Sequence, residues 1–275
     1  MKKECQVCMH RCALEEGQTG RCRARANKGG TIVCANYGQV TALALDPVEK
    51  KPLRRFCPGT KILSVGSFGC NLNCPFCQNY DISMADAGTK RKILISPEEL
   101  AGRAQELETE GNIGIAYTYN EPLVGYEYIR DTAALVRKAG LKNVVVTNGS
   151  VKEEVLMEVL PFVDAMNIDL KGFTEGYYRM IGGDLETVKR FIRHAVRGCH
   201  VELTTLIVPG QNDSAGEMGR LARWVAGIDR KIPLHVIRFF PSFRMTDGSP
   251  TDVHTVYRLA DEASKYLDYV YTGNC

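Results

Sequence analysis

Between residues 61 and 267 short apolar runs alternate with longer stretches in which apolar positions recur at helical spacing. The runs at 61–66, 113–118, 143–147, 165–170, 200–207 and 233–239 are short and rich in β-branched residues, and they read as strands. Ser96, Pro97 and Glu99 form the start signal of a helix, with Ser96 as N-cap and Glu99 completing a capping box. Further helices are expected over 121–139, ending at Gly140, over 152–160, stopped by Pro161, and over 184–197. Ser214 with Glu217 opens another, and 250–267 forms the last long one. Six strand-then-helix units predict an α/β fold with a parallel sheet and crossover helices. A closed barrel takes eight units in about 250 residues, so six predict an incomplete (β/α)6 TIM-like barrel. Residues 31–58 instead show short strands and turns. The expected division is therefore 1–58, a small cysteine-rich metal-binding module with its connector, and 59–275, the partial barrel.

Composition narrows the class. The 275 residues are 44% hydrophobic and carry a net charge of +3, too mild a balance for a nucleic-acid binder, which shows a strong, clustered basic footprint. No run reaches the roughly 18 apolar residues of a membrane span, and Met1-Lys2-Lys3-Glu4-Cys5 lacks an apolar segment behind its positive charge. A cytoplasmic protein with no nucleic-acid and no membrane partner is expected. Eleven cysteines, an odd number with Cys-x2-Cys groups, fit metal binding in a reducing compartment better than a disulfide framework.

The chemistry starts at Cys70-x3-Cys74-x2-Cys77, three thiols within eight residues directly after the first strand. Such a group holds zinc or an iron-sulfur cluster, and either normally takes four ligands. A [4Fe-4S] cube on three cysteines leaves one iron open to a small molecule. A zinc knuckle or buried thiols is the plainer alternative. A second set, Cys5-x2-Cys8-x3-Cys12-x9-Cys22, fits one further metal, with residues 17–22 supplying turns that fold the fourth ligand back. Zinc and an auxiliary iron-sulfur cluster are both open there. His10 reads as a solvated bystander, and Cys34 and Cys57 as structural or incidental thiols.

In parallel α/β sheets the chemistry lies at the carboxyl ends of the strands. The second strand ends in the polar stretch from Thr118 through Asn120 and Glu121 to Pro122, with Asn120 a natural N-cap. The third ends in Thr147-Asn148-Gly149. The fourth ends in Asp169-Leu170-Lys171, whose two charged residues are two apart and share a strand face. The sixth offers His235 and Arg238, three apart and on opposite faces. Arg238 is the better site candidate, being nearer the carboxyl end, and His235 reads as packing. The charged segment 46–53 reads either as a solvated connector or as carrying Lys50 or Lys51 toward a cluster or an anionic substrate.

The three-cysteine spacing, with aromatic Phe76 just before Cys77, resembles the signature of radical S-adenosylmethionine (radical SAM) enzymes. That resemblance implies a [4Fe-4S] cluster on Cys70, Cys74 and Cys77. Its open iron would chelate the amino and carboxylate groups of S-adenosylmethionine, and one electron would split the sulfonium into methionine and a 5′-deoxyadenosyl radical. Residues 118–121 lie where these enzymes carry a Gly-Gly-Glu motif that binds the methionyl amino group, so Thr118, Asn120 and Glu121 inherit that role although the glycines are replaced. The strand ends at Asn148 and at Asp169 and Lys171 resemble the pyruvate formate-lyase activating enzymes, in which the Asp-x-Lys pair binds the zwitterionic end of the cofactor. Val208, in a turn like the one beside the adenine there, is the implied adenine contact, and Phe76 is counted with the cofactor contacts. Val146 and residues 241–243 depart from that pattern, having neither the aspartate nor the histidine often found there.

With the amino-terminal cysteines and segment 46–53 included, the chain resembles the activating-enzyme-like AmmeMemoRadiSam group. The implied activity is hydrogen-atom abstraction, either from a glycine Cα on a partner protein or from a small molecule or peptide. The implied electron donor is of the flavodoxin or ferredoxin kind. The rival from another class is a non-enzymatic iron-sulfur protein acting in electron transfer or as an interaction module.

Overall fold

Strand Lys61–Gly66, which delivers the three-cysteine loop, lies in an eight-stranded sheet. In order the strands are Val270–Gly273, Leu234–Arg238, His200–Ile207, Ala165–Asp169, Lys142–Thr147, Asn112–Tyr117, Lys61–Gly66 and Ala42–Pro47. The first seven run parallel, and Ala42–Pro47 closes the row antiparallel. The computed structural model describes residues 2–89 and 92–275. The expected α/β architecture with a partial barrel is observed. Val270–Gly273 had no sequence signal long enough to separate it from the helix before it, and it adds a seventh parallel strand. Among the described residues no helix is long and apolar enough to cross a membrane.

Alternation of side chains sorts the strand residues onto two faces. Leu63, Val65, Ile115, Tyr117, Val145, Met166 and Ile168 pack outward with the helices in the main core. Ile62, Ala116, Val144 and Ala165 point inward and meet Val48 and Leu53 in a second core. Segment 48–56 therefore fills the base of the half-barrel. It is held there by polar groups as well: Asn167 Nδ2 donates to the Pro52 carbonyl at 2.8 Å, and the Glu202 carboxylate accepts the amides of Arg54 and Arg55 at 3.0 and 2.8 Å. Glu202 also takes His200 Nε2 at 3.0 Å and His235 Nε2 at 2.6 Å, so His235 is a buried, partnered residue, as its position suggested.

Segment 46–53 is accordingly neither of the things expected of it. It is not a solvated connector, because Val48 and Leu53 are fully buried, and Lys51 pairs with Asp46 at 2.9 Å rather than reaching a cluster. Lys50 stays exposed. Residues 42–47, placed by sequence with the amino-terminal connector, are a strand of the main sheet.

Local signals set the helix starts where chemistry is strong. Ser96 accepts the Glu99 amide and Glu99 accepts the Ser96 amide, the capping box expected, and helix Pro97–Glu106 follows. The helix expected over 121–139 begins late: a 3-10 turn, Pro122–Gly125, precedes helix Tyr126–Lys138. Helix Glu175–Met180 was not anticipated.

At the amino terminus Lys3–Glu4 pairs with Ala13–Leu14 and Arg25–Lys28 with Thr31–Cys34. The module docks through Arg25, 2% exposed, whose Nε donates to the Val124 carbonyl while its two other nitrogens grip the Glu127 carboxylate. A bidentate fork of this kind fixes orientation as well as charge.

Candidate cofactor site

The loop after Lys61–Gly66 is held from several sides before any cofactor is considered. Gly69 donates its amide to the Ile82 carbonyl, Asn73 to that of Ile181, and Asn71 Nδ2 donates to the Ser150 carbonyl at 2.9 Å. Asn148 Nδ2 donates to Asn71 Oδ1 at 2.9 Å and approaches Cys70 Sγ at 3.6 Å, so the strand-end asparagine reaches the loop directly. Phe76 is buried, stacked on Tyr177 at 6.4 Å and edge-on to Phe239 at 6.5 Å. His10 is not a solvated bystander: its Nε2 donates to the Asn71 carbonyl at 2.8 Å, bracing the loop from the amino-terminal module.

Gly69 marks the tightest point of that contact. It has φ +94°, and a Cβ there would stand 2.4 Å from the Cys22 carbonyl oxygen. Backbone cannot swing away as a side chain can, so Gly69→Ala is expected to destabilise the fold by about 2 kcal/mol or more, through strain and overpacking together. Denaturant unfolding checks this; an unchanged midpoint would contradict it.

The loop forms one wall of a cleft of about 240 Å³. Cys70, Cys74, Phe76 and Cys77 line it together with Thr118, Asn120, Glu121, Asn148, Asp169 and Lys171, ten of the residues singled out in the sequence. Val208 and Arg238 are not among the lining residues. Val208 is fully buried, its amide donating to Asn212 Oδ1 at 2.7 Å, because strand His200–Ile207 ends one residue earlier and the chain turns. Leu206 lines the cleft in its stead, with Ile237. Arg238 donates from Nε to the Thr251 carbonyl and lies over the Phe240 ring at 5.0 Å. Tyr119, Thr147, Thr204 and Asn274 also line the cleft and were missed. The signal for Thr204 and Leu206 was available, since both share the strand face of Glu202.

Lys171 Nζ meets Asp169 Oδ2 at 2.7 Å. Burial disfavours the Lys171 ammonium, but Asp169 and the neighbouring Cys74 outweigh it and hold the pKa well above the usual value. Glu121, 1% exposed, has its carboxyl raised to about 7 by burial, against three protein donors. Thr147 Oγ1 and the Leu123 amide donate to its Oε1, and the Asn148 amide donates to Oε2 at 2.7 Å. Glu121 thus ties two strand ends together. It is also the residue that caps the 3-10 turn, a part expected of Asn120. Asn120 instead accepts the Ser67 amide and donates to the Gly69 carbonyl at 3.0 Å.

The donor set fits an iron-sulfur cluster: three soft thiols in one cleft, with no fourth cysteine and no histidine lining it. Among the described residues no three His, Cys, Asp or Glu side chains converge closely enough to hold a single ion, either in this loop or at the amino-terminal cysteines. Cys5, Cys8 and Cys22 are buried and Cys12 half-buried, and burial beside the other thiols pushes Cys8 up to about 11. All eleven cysteines are free. Cys34 donates to Asn36 Oδ1 at 3.1 Å, and Cys57 is half-buried.

The chain is similar to several known proteins. The chain is 39% identical over 276 residues, covering 99% of itself and 81% of the relative, to an uncharacterized protein of Methanocaldococcus jannaschii. It is 23% identical over 187 residues to the pyruvate formate-lyase 1-activating enzyme of Escherichia coli, covering 65% of this chain and 75% of that one. Among solved structures, a domain of a pyruvate-formate lyase-activating enzyme from Bacteroides vulgatus superposes with a TM-score of 0.50 at 16% identity, over 58% of this chain and 98% of that one. Streptococcus suis SuiB bound to S-adenosylmethionine superposes with a TM-score of 0.61 at 12% identity, over 78% of this chain and 52% of that one. Residues 64–222 match the model of the Radical SAM superfamily, more than half of the sequence, and the chain belongs to that superfamily.

Proposed function

We propose that Cys70, Cys74 and Cys77 hold a [4Fe-4S] cluster and that the chain cleaves S-adenosylmethionine reductively to methionine and a 5′-deoxyadenosyl radical, which abstracts a hydrogen atom from a substrate. The observation that carries this reading is that three thiols, with no fourth, share one cleft with the Asp169–Lys171 pair. When bound, the cluster supplies the single electron that splits the sulfonium; the protein supplies position and shelter.

Asp169 and Lys171 already neutralise one another, so a zwitterionic methionyl group can exchange their mutual contact for two charge-assisted ones without changing the charge of the cleft. Lys171 takes the carboxylate and Asp169 the ammonium, with Thr118 lining the same cleft. Glu121, whose oxygens are occupied by Thr147, Asn148 and Leu123, fixes the wall. Leu206 and Ile237 offer the apolar surface suited to an adenine ring, in place of Val208. The likeness to pyruvate formate-lyase 1-activating enzyme supports a glycine Cα–H on a partner protein as the substrate class; a small molecule or peptide is the competing one. A one-electron donor of the flavodoxin or ferredoxin class completes the system. The amino-terminal cysteines are read as a second metal site, zinc or an auxiliary cluster, and a chain with Cys-x2-Cys groups and an odd number of cysteines suits the reducing cytoplasm.

Anaerobic cluster reconstitution followed by dithionite and S-adenosylmethionine tests the reading. 5′-Deoxyadenosine is the expected product, and a cluster whose EPR spectrum ignores S-adenosylmethionine, with no product, overturns it. Deuterium transfer into 5′-deoxyadenosine from labelled candidates then separates protein from small-molecule substrates.

A further inference from the structure

Tyr119 sits in the cleft wall between Thr118 and Asn120, in the left-handed backbone region at φ +74°. A ring-bearing side chain seldom adopts that conformation, and it persists only where the surroundings impose it. Here they do so from three directions. The Tyr119 hydroxyl donates to Asp46 Oδ2 at 2.8 Å. The Lys51 ammonium, which donates to the same carboxylate oxygen at 2.9 Å, lies 4.7 Å from the Tyr119 ring centroid. Gly66 leaves room beneath the ring, where a Cβ would come within 2.8 Å of Cδ2. Lys51 is 3% exposed, and a lysine this deeply buried is rare without a paired role. Asp46 and Lys51 come from the edge strand and the segment filling the half-barrel, and neither lines the cleft. Tyr119 links them to it.

We propose that Asp46 and Lys51 are positioning residues of the cofactor cleft: acting through Tyr119, they hold residues 118–121 in the conformation that receives the methionyl end of S-adenosylmethionine. The proposal rests on the functional reading above. A glycine at 119 would accept the same φ without strain. The tyrosine adds a lever whose far end is clamped by an ion pair, and the clamp keeps the strained conformation from relaxing. Because Glu121 and Asn120 bind the neighbouring strand and the cysteine loop, a shift at 119 moves the whole wall.

The test uses Asp46→Asn, Tyr119→Phe and the double variant in the full chain. Equilibrium dialysis of S-adenosylmethionine on the reconstituted protein reads the wall with its ligand. Amide hydrogen exchange over residues 117–123 reads it in protein without cluster. Each single variant is expected to weaken binding about tenfold, the worth of one hydrogen bond to a charged group, and to speed exchange in that segment. The double variant is expected to be no weaker than either single one, because both act on the same contact. Affinity kept within about twofold in both single variants, or losses that multiply in the double, would overturn the proposal, since independent sites simply add in free energy. So would a lowered melting temperature with unchanged exchange over 117–123, the mark of a merely structural pair. Tyr119→Phe removes one oxygen and keeps the test valid if Asp46→Asn fails to fold. Wild-type protein that forms no 5′-deoxyadenosine counts against the functional reading alone, and the exchange measurement still decides this one.

Discussion

Cys74→Ala is expected to abolish 5′-deoxyadenosine formation and the visible absorption of the reconstituted cluster, while leaving the fold intact. Two thiols cannot hold a cube whose protein ligation is already one short, and no other cysteine or histidine lines the cleft to substitute. The thiol is otherwise a small buried group, so its loss costs stability only about 1 kcal/mol. That separation makes the prediction sharp: activity and absorption fall together, and the melting temperature barely moves. Cys199→Ala supplies the control. Its thiol donates to the Ala195 carbonyl and lies outside the cleft, so product formation is expected to persist. A Cys74→Ala protein that still forms 5′-deoxyadenosine would sink the assignment of the loop.

The largest expected effect on stability is at Glu202. Its carboxylate, with no exposed surface, accepts two backbone amides from the segment filling the half-barrel and one nitrogen from each of His200 and His235. Glu202→Ala takes the acceptor from four donors at once, the buried His235 among them, at a cost of about 3–5 kcal/mol. In a chain of this size that lowers the melting temperature by roughly 6 °C or more. Although burial pushes the other way, His200, His235 and the two amides hold the Glu202 carboxyl at about 2. A folded pKa below the unfolded value near 4.5 contributes stability that is present above pH 4.5 and lost as pH falls toward 2. The shift corresponds to roughly 3 kcal/mol, and Glu202→Gln is expected to remove that part of the acid sensitivity. Denaturant titrations of wild type and Gln variant across pH 2 to 5 measure it. Parallel curves for the two proteins, or an Ala variant as stable as wild type, would contradict the account.

Where sequence and structure part company, the cause is the distance over which a residue finds its partner. Asn120 has the chemistry of an N-cap, but the nearest groups to satisfy it belong to the cysteine loop some fifty residues away, and Glu121 caps the turn instead. Val208 was implied only by the likeness of its turn to one beside an adenine, but the strand stops at Ile207 and the turn buries Val208 against Asn212. Asp46 and Lys51 look like solvated charges until Tyr119 is seen above them.

What the chain's sequence determined on its own was everything local or periodic. The alternation of apolar runs and amphipathic stretches specified a parallel sheet with crossover helices, Ser96 and Glu99 started their helix, and three thiols in eight residues marked out a candidate metal-ligand set. The pairing of Asp169 with Lys171 followed from their spacing. Only the tertiary structure decided what covers the inner face of the sheet, which strand closes each edge, and which groups hold the cleft wall in place. Those outcomes depend on contacts across tens to hundreds of residues, where burial and hydrogen-bond satisfaction of the whole chain outweigh any local preference.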